Sequence, residues 1–268
     1  MPDIAPSTFR EASMLEAAWT IAVRELVAFF RQRSRVLAAI ITPLFLWLML
    51  GMGMGQSFRW EHGGGGFLAY FFPGIVVFAV VFAGIYSSIS TILDRQKGIL
   101  QSVVVAPISR TSIVFGKVLG GTLIALVEGS ILLLFVRLAG IPAGAVEVVL
   151  AIAVLALLCY AMTGIGFFFA WMIDSVQGYH AIMNLILMPA WLLSGAFFPR
   201  DGAATWVRVA MDVNPLYYGL SALRHVLWLE DEVMRNALPS LWICLAVTGG
   251  LGLVMTVLSA RAVTKKTL

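Results

Sequence analysis

DRQKGILQSVVVAPISRTSIVFGK, Asp94–Lys117, carries five charged side chains, a glycine at 98 and a proline at 107. On its N-terminal side lies FLAYFFPGIVVFAVVFAGIYSSISTIL, which has no charge, and on its C-terminal side VLGGTLIALVEGSILLLFV, which has only Glu128. A charged, punctuated segment between two long apolar runs must face water while its neighbours leave it. The rest of the chain repeats the contrast. Of 268 residues, 60% are hydrophobic and 12% charged, where soluble domains carry about 25% charged residues.

A bilayer core of about 30 Å is crossed by about 20 apolar residues at 1.5 Å each. Six segments meet that length: Val36–Gly55, Phe67–Leu93, Val118–Ile141, Val148–Ile173, Ala181–Phe198 and Ala237–Ala260. They are apolar all round, which excludes amphipathic helices on a soluble core. The predicted fold is therefore an all-α integral membrane protein with six transmembrane helices. The stretch MPDIAPSTFREASMLE lacks the apolar core of a cleavable signal peptide, so the N-terminus is expected to stay where it is made.

Orientation follows from the basic residues, because cytoplasmic loops are enriched in Lys and Arg. Six spans put both termini and the loops after the second and fourth spans on one side. That side holds Arg10, Arg24, Arg31, Arg33, Arg35, Arg95, Lys97, Arg110, Lys117, Arg261, Lys265 and Lys266, twelve of the eighteen basic residues. Both termini and 94–117 are thus predicted cytoplasmic. The net charge of +4 belongs to the ends of spans and reads as membrane-surface electrostatics, with no nucleic-acid partner.

Several chemistries find no motif. Cys159 and Cys244 fall inside spans and read as small buried hydrophobes, and His62, His180 and His225 are too scattered for a zinc site. The pair Gly116-Lys117 would need glycine at 111 and Ser or Thr at 118 to form a phosphate-binding loop, and those positions are Thr111 and Val118. The chain is therefore not expected to be an ATPase or other enzyme, nor to bind a cofactor or metal.

Ahead of the first span, in the tail 1–35, Leu15, Trp19, Ala22, Val23, Leu26, Phe29 and Phe30 recur at helical spacing, with Arg24, Glu25 and Gln32 elsewhere on the wheel. The pattern predicts a helix lying in the interface, with Arg31, Arg33 and Arg35 at the headgroups. Within the opening stretch, Gly98 permits a bend, Pro107 stops the apolar element before it, and Gly116 is expected to act as a hinge.

D-R-Q-K-G-I-L-Q-S-V-V-V-A-P-I-S-R followed by G-K resembles the cytoplasmic coupling segment of ABC-2 type transporter permeases. MNLILMPAWLLSGAFFP, Met183–Pro199, is similar to that family's Pro, Leu-Ser-Gly, Phe-Pro pattern, and NPLYYGLSALRHVL, Asn214–Leu227, to its outer Asn-Pro, aromatic, Leu-Arg segment. The resemblance covers nearly the whole chain. It implies a type-2 ABC exporter transmembrane fold: a tail of 1–35 with its interfacial helix, a six-span domain of 36–260 with a coupling segment 94–117 and an outer segment 199–236, and a cytoplasmic tail of 261–268.

What it implies for function is a permease half that pairs with a second copy, as a homodimer in a bacterial plasma membrane, above separate ATPase subunits that carry ATP and Mg. The exported substrate would be amphipathic or lipid-linked, in the drug and lipo-oligosaccharide branch. Asp94, Arg95, Gly98, Leu100, Val104, Pro107, Ser109, Arg110, Gly116 and Lys117 would form the ATPase-coupling site. The family's Thr and Glu after the glycine are replaced by Ile99 and Gln101, so no charge pairing of that Glu carries over.

Glu128 lies in the third predicted span, where a charge is costly and faces a cavity or partner. A protonated or hydrogen-bonded carboxyl inside the bundle and a place on the transport path both remain open. Pro189, Ser194, Gly195 and Pro199 predict a kinked or short fifth span, placed where other helices satisfy the freed backbone groups; Pro189, Ser194 and Gly195 are further candidates for the path. Asp174 and His180 read as a solvated inner turn or a second ATPase contact. Asn214 and Pro215 predict a helix start, whose aromatic residues anchor at headgroups or gate a substrate. Two rivals stand beside this reading. A secondary transporter or channel would show ionisable residues in several spans, and an intramembrane enzyme would show a catalytic pair.

Overall fold

The computed structural model describes residues 13–55, 66–98 and 109–265; Leu100, Val104 and Pro107 lie outside them. Among the described residues the chain is helical, without a strand. Helix α1, Met14–Phe30, opens on a capping box in which the Ser13 amide donates to Glu16 Oε2 at 3.0 Å and the Glu16 amide donates to Ser13 Oγ at 3.2 Å. Helix α2, Arg33–Met54, follows after a short turn. Helices α3, Gly66–Ser87, and α4, Ile89–Gln96, form one rod of 31 residues, Gly66–Gln96.

Helix α5, Arg110–Leu133, starts at Ser109, whose hydroxyl accepts the Ser112 amide at 3.2 Å. Helix α6, Ala145–Met172, and helix α7, Val176–Trp191, come next, and α7 runs into a π-helical turn at Leu192–Ala196. Three shorter helices, α8 (Thr205–Val213), α9 (Pro215–Leu227) and α10 (Glu232–Asn236), precede the last long one, α11, Leu241–Lys265.

Six of these elements are long and apolar enough to cross a membrane. They correspond in order to the six segments expected from sequence. The rod that begins with α3 is the axis of the bundle: 78% of its apolar window is buried, against 17% for α2 and 22% for α11. Helices α2, α5 and α6 surround α3, and α11 closes the far side against α6 and α9.

The third element differs most from expectation. It runs over Arg110–Leu133 instead of starting at Val118, because Lys117 is not a solvated loop charge. Its ammonium is neutralised by acids from two other helices, which lets the helix begin a full two turns earlier. The chain then leaves in a series of turns, with Arg137 Nε donating to the Ala143 carbonyl at 3.2 Å and Gly140 at φ 82°.

Helix α1 divides its faces differently from the sequence expectation. Leu15, Trp19, Val23 and Phe30 are exposed, while Ala17, Ala18, Ala22, Glu25 and Phe29 are buried. The small residues let α1 lie directly on α5. A Cβ at Gly116 would sit 2.8 Å from the Ala18 carbonyl oxygen, and one at Gly120 would sit 2.9 Å from Glu25 Cβ. Gly116 is inside α5, so its role is close helix approach and not the expected hinge.

Candidate functional site

The close approach of α1 to α5 brings four charges into one cluster at the cytoplasmic end predicted for the bundle. Lys117 Nζ, on a side chain only 3% exposed, donates to Glu25 Oε1 at 2.7 Å, to Asp94 Oδ2 at 2.5 Å and to Ser90 Oγ at 3.1 Å. Those three acceptors use the three donors of an ammonium. Arg24 Nη2 donates to Asp94 Oδ2 at 2.6 Å and to Glu25 Oε1 at 3.2 Å. Burial acts to lower the Arg24 guanidinium, but Asp94 and Glu25 outweigh it and hold it above its ordinary value. Two cations meet two anions, so the cluster is neutral and joins α1, α4 and α5.

Arg95, next in sequence, points the other way. Its guanidinium donates to the carbonyls of Trp171 at 2.9 Å and Ile173 at 2.5 Å, and pairs with Asp174 Oδ1 at 3.1 Å. These are the orphan acceptors at the C-terminus of α6, where a cation also complements the helix dipole. Gln96 Nε2 adds a bond to the Asp174 carbonyl at 3.0 Å. The end of α4 is thus a junction of α1, α5 and α6. Gly98, at φ 70°, turns the chain away from it, and Ser109 returns the chain as the cap of α5. Gly98 and Ser109 are the described residues on either side of 99–108.

At the opposite end, the two other sequence patterns form a single device. After Pro189, the π turn and Gly195 at φ 86° leave backbone carbonyls without helical partners. Asn214 Nδ2 donates to the Ala190 carbonyl at 2.5 Å, and Asn214 Oδ1 caps α9 through the Leu216 amide at 3.0 Å. Tyr70 Oη and Arg224 Nη2 both donate to the Gly195 carbonyl, at 2.8 and 3.0 Å, with the guanidinium 4.3 Å from the Tyr70 ring centroid. Ser194 donates to the Trp191 carbonyl at 2.7 Å. Ser194 and Gly195 are enclosed, whereas Pro189 faces outward. Nearby, Arg200 grips Asp212 through two bonds of 2.8 Å and holds its carboxyl below the ordinary range.

Glu128 is 6% exposed and stands apart from both assemblies, on α5 beside α3. His180 lies with its ring centroid 4.8 Å from that of Tyr86, whose hydroxyl donates to Asn184 Oδ1 at 2.5 Å.

The family model for the ABC-2 type transporter matches residues 16–228. The chain belongs to the ABC-2 type transporter family. Among curated relatives, the permease is 26% identical to ycf38 of Cyanophora paradoxa, over 80% of this chain and 77% of that one. It is 23% identical to the daunorubicin resistance ABC transporter permease protein DrrB1 of Streptomyces coeruleorubidus, over 81% and 76%. The inner membrane transport permease YhhJ of Escherichia coli K12 matches at 27% over 58% of this chain and 40% of its own length.

Within this permease, sequence reasoning singled out Asp94, Arg95, Gly98, Leu100, Val104, Pro107, Ser109, Arg110, Gly116 and Lys117; the structure brings Asp94, Arg95 and Lys117 to one junction, and Leu100, Val104 and Pro107 lie outside the described residues. Arg110 is the first residue of α5. Arg24 and Glu25 were read as the polar face of a surface helix. The missed signal was spacing: Ala18, Ala22, Glu25 and Phe29 form a stripe of their own, facing the Gly116-x3-Gly120 step of α5. Arg224 was visible as the arginine of the outer Leu-Arg pattern, but its partner was not, and Tyr70 carried no signal, since both bond a backbone carbonyl freed far away in sequence.

Proposed function

We propose that this chain is the membrane subunit of an ATP-driven exporter in which 99–108 docks on a separate ATPase subunit and the four-charge junction passes the movement into the spans. The observation that supports this most is the direct Asp94–Lys117 bond, together with the Arg24–Asp94 and Lys117–Glu25 pairs on either side of it. A push on 99–108 moves α4 and α5 as a unit and takes α1 with them, because separating the charges would strand them away from water. ATP and Mg act on the partner, and this chain contributes Leu100, Val104 and Pro107 to the docking surface.

A second copy of the permease completes the path. The outward apolar residues Leu37, Ile41 and Phe45 of α2 and Leu185 and Ile186 of α7 suit either lipid or such a copy. The basic residues favour both termini in the cytoplasm of a bacterial cell, with export from the inner membrane. The daunorubicin resistance of one relative's name favours an amphipathic substrate, drawn from the inner leaflet, over a small soluble ion.

The test is Leu100→Asp or Val104→Asp, followed by co-purification with the ATPase subunit. A buried unpaired carboxylate costs several kcal/mol at an interface, so ATPase binding and transport are expected to fall while the permease stays folded in the membrane. Lys97→Gln is expected to do much less, as an exposed charge contributes about 1 kcal/mol or below. Full binding and full transport by both Asp variants would overturn the docking role.

A further inference from the structure

A cavity of 240 Å³ lies between α2, α3 and α5, where the C-terminal end of α1 also reaches it. Phe29, Phe78, Phe82 and Tyr86 contribute aromatic walls, Arg35 stands at one side, and Glu128 presents the carboxylate. It adjoins a 620 Å³ chamber with which it shares Phe29, Arg35, Tyr86 and Ile124. That chamber contains Lys97 and His180 together with Arg24, Glu25 and Asp94 of the neutral cluster.

Glu128 is more than nine-tenths buried. It makes no hydrogen bond or ion pair among the described residues, and Arg35 lines the same cavity. Arg35 is itself exposed, with its guanidinium 5.4 Å from the Phe29 ring centroid. A carboxylate in such surroundings is costly unless a proton or a cation relieves it.

We infer that this cavity binds a lipophilic organic cation, with Glu128 as its counter-ion and the aromatic rings as its walls. Ring faces attract a cation electrostatically, more so when it is desolvated. A metal ion does not suit the site, because magnesium and calcium require about six oxygen ligands or more and no metal-binding group occurs among the described residues. An anion does not suit it either, since the deep end is a carboxylate. Arg35 then acts as a weak resident competitor: with it the empty site is neutral, and removing it leaves a net negative site. The inference rests on the chain being a transport subunit and gives that reading a substrate class.

The probes are tetraphenylphosphonium and tetraphenylborate, nearly the same shape with opposite charge. Equilibrium dialysis uses the purified full chain in non-ionic detergent, without the ATPase. Saturable phosphonium binding is expected, weaker by about tenfold or more in Glu128→Gln and tighter by a few-fold in Arg35→Gln, with tetraphenylborate failing to compete. No saturable binding, equal binding by Glu128→Gln and wild type, or equal competition by tetraphenylborate would overturn it. Because no ATPase is present, these failures leave the docking role untouched, and a Leu100→Asp permease that loses transport but still binds the cation shows the site to be independent of docking.

Discussion

Replacing Lys117 with methionine removes one charge from a balanced set and keeps the side-chain volume. In the native cluster Arg24 and Lys117 contribute +2, and Glu25 and Asp94 contribute −2. Lys117→Met leaves a net −1 on acids whose side chains are 10% and 16% exposed. Removing one partner of a buried ion pair costs about 3–5 kcal/mol. The lower end applies here, since Arg24 still reaches both acids and water reaches Asp94. A loss of about 3 kcal/mol lowers the unfolding temperature by about 6–12 °C in a chain of this size. Both cysteines are buried, so a thiol-reactive dye reports the unfolding directly. Adding Glu25→Gln restores neutrality and leaves the Arg24–Asp94 pair intact, so the double variant is expected to recover more than half of the loss. A Lys117→Met permease melting within about 2 °C of wild type, less than a 1 kcal/mol change produces, or a double variant no better than the single one, would refute the cluster as a structural unit.

Two further outcomes follow from the geometry. Asn214→Ala removes the cap of α9 and the donor to the Ala190 carbonyl together, at a cost of about 2 kcal/mol. The same dye assay is expected to show the loss, with Asn214→Asp intermediate because it keeps the cap alone. For orientation, cysteines placed at Ser102 and Thr267 are expected to be shielded from an impermeant thiol reagent in intact cells while one at Gly64 is labelled; labelling at Ser102 from outside would reverse the topology.

The spans were legible because apolar length alone identifies a helix that crosses a bilayer. α6, for example, starts and ends within a few residues of the expected segment. The start of α5 was not legible, since a lone Lys117 in sequence marks an edge of the membrane and only its partners from α1 and α4 reveal it as interior. Glu25 was hidden for the same reason: as an acid next to Arg24 in sequence it looks solvated, and only its partner from α5 reveals it as interior. The helix start at Asn214-Pro215 was readable because caps are local. The second bond of Asn214, to a carbonyl freed by the break after Pro189, joins residues 24 apart and follows from no local rule. Glu128 stood out as a charge in an apolar run, but its aromatic surroundings come from α1 and α3 and needed the fold.

If the junction carries movement from the docked segment into the spans, breaking it separates ATPase binding from coupling. Lys117→Met is reconstituted with the ATPase subunit in vesicles below its melting temperature. ATP hydrolysis and substrate export are then measured side by side. The ATPase is expected to stay bound and hydrolysis to continue while the substrate exported per ATP falls several-fold, with Glu25→Gln added in the same chain restoring part of it. An unchanged ratio of export to hydrolysis in Lys117→Met would contradict coupling through the junction.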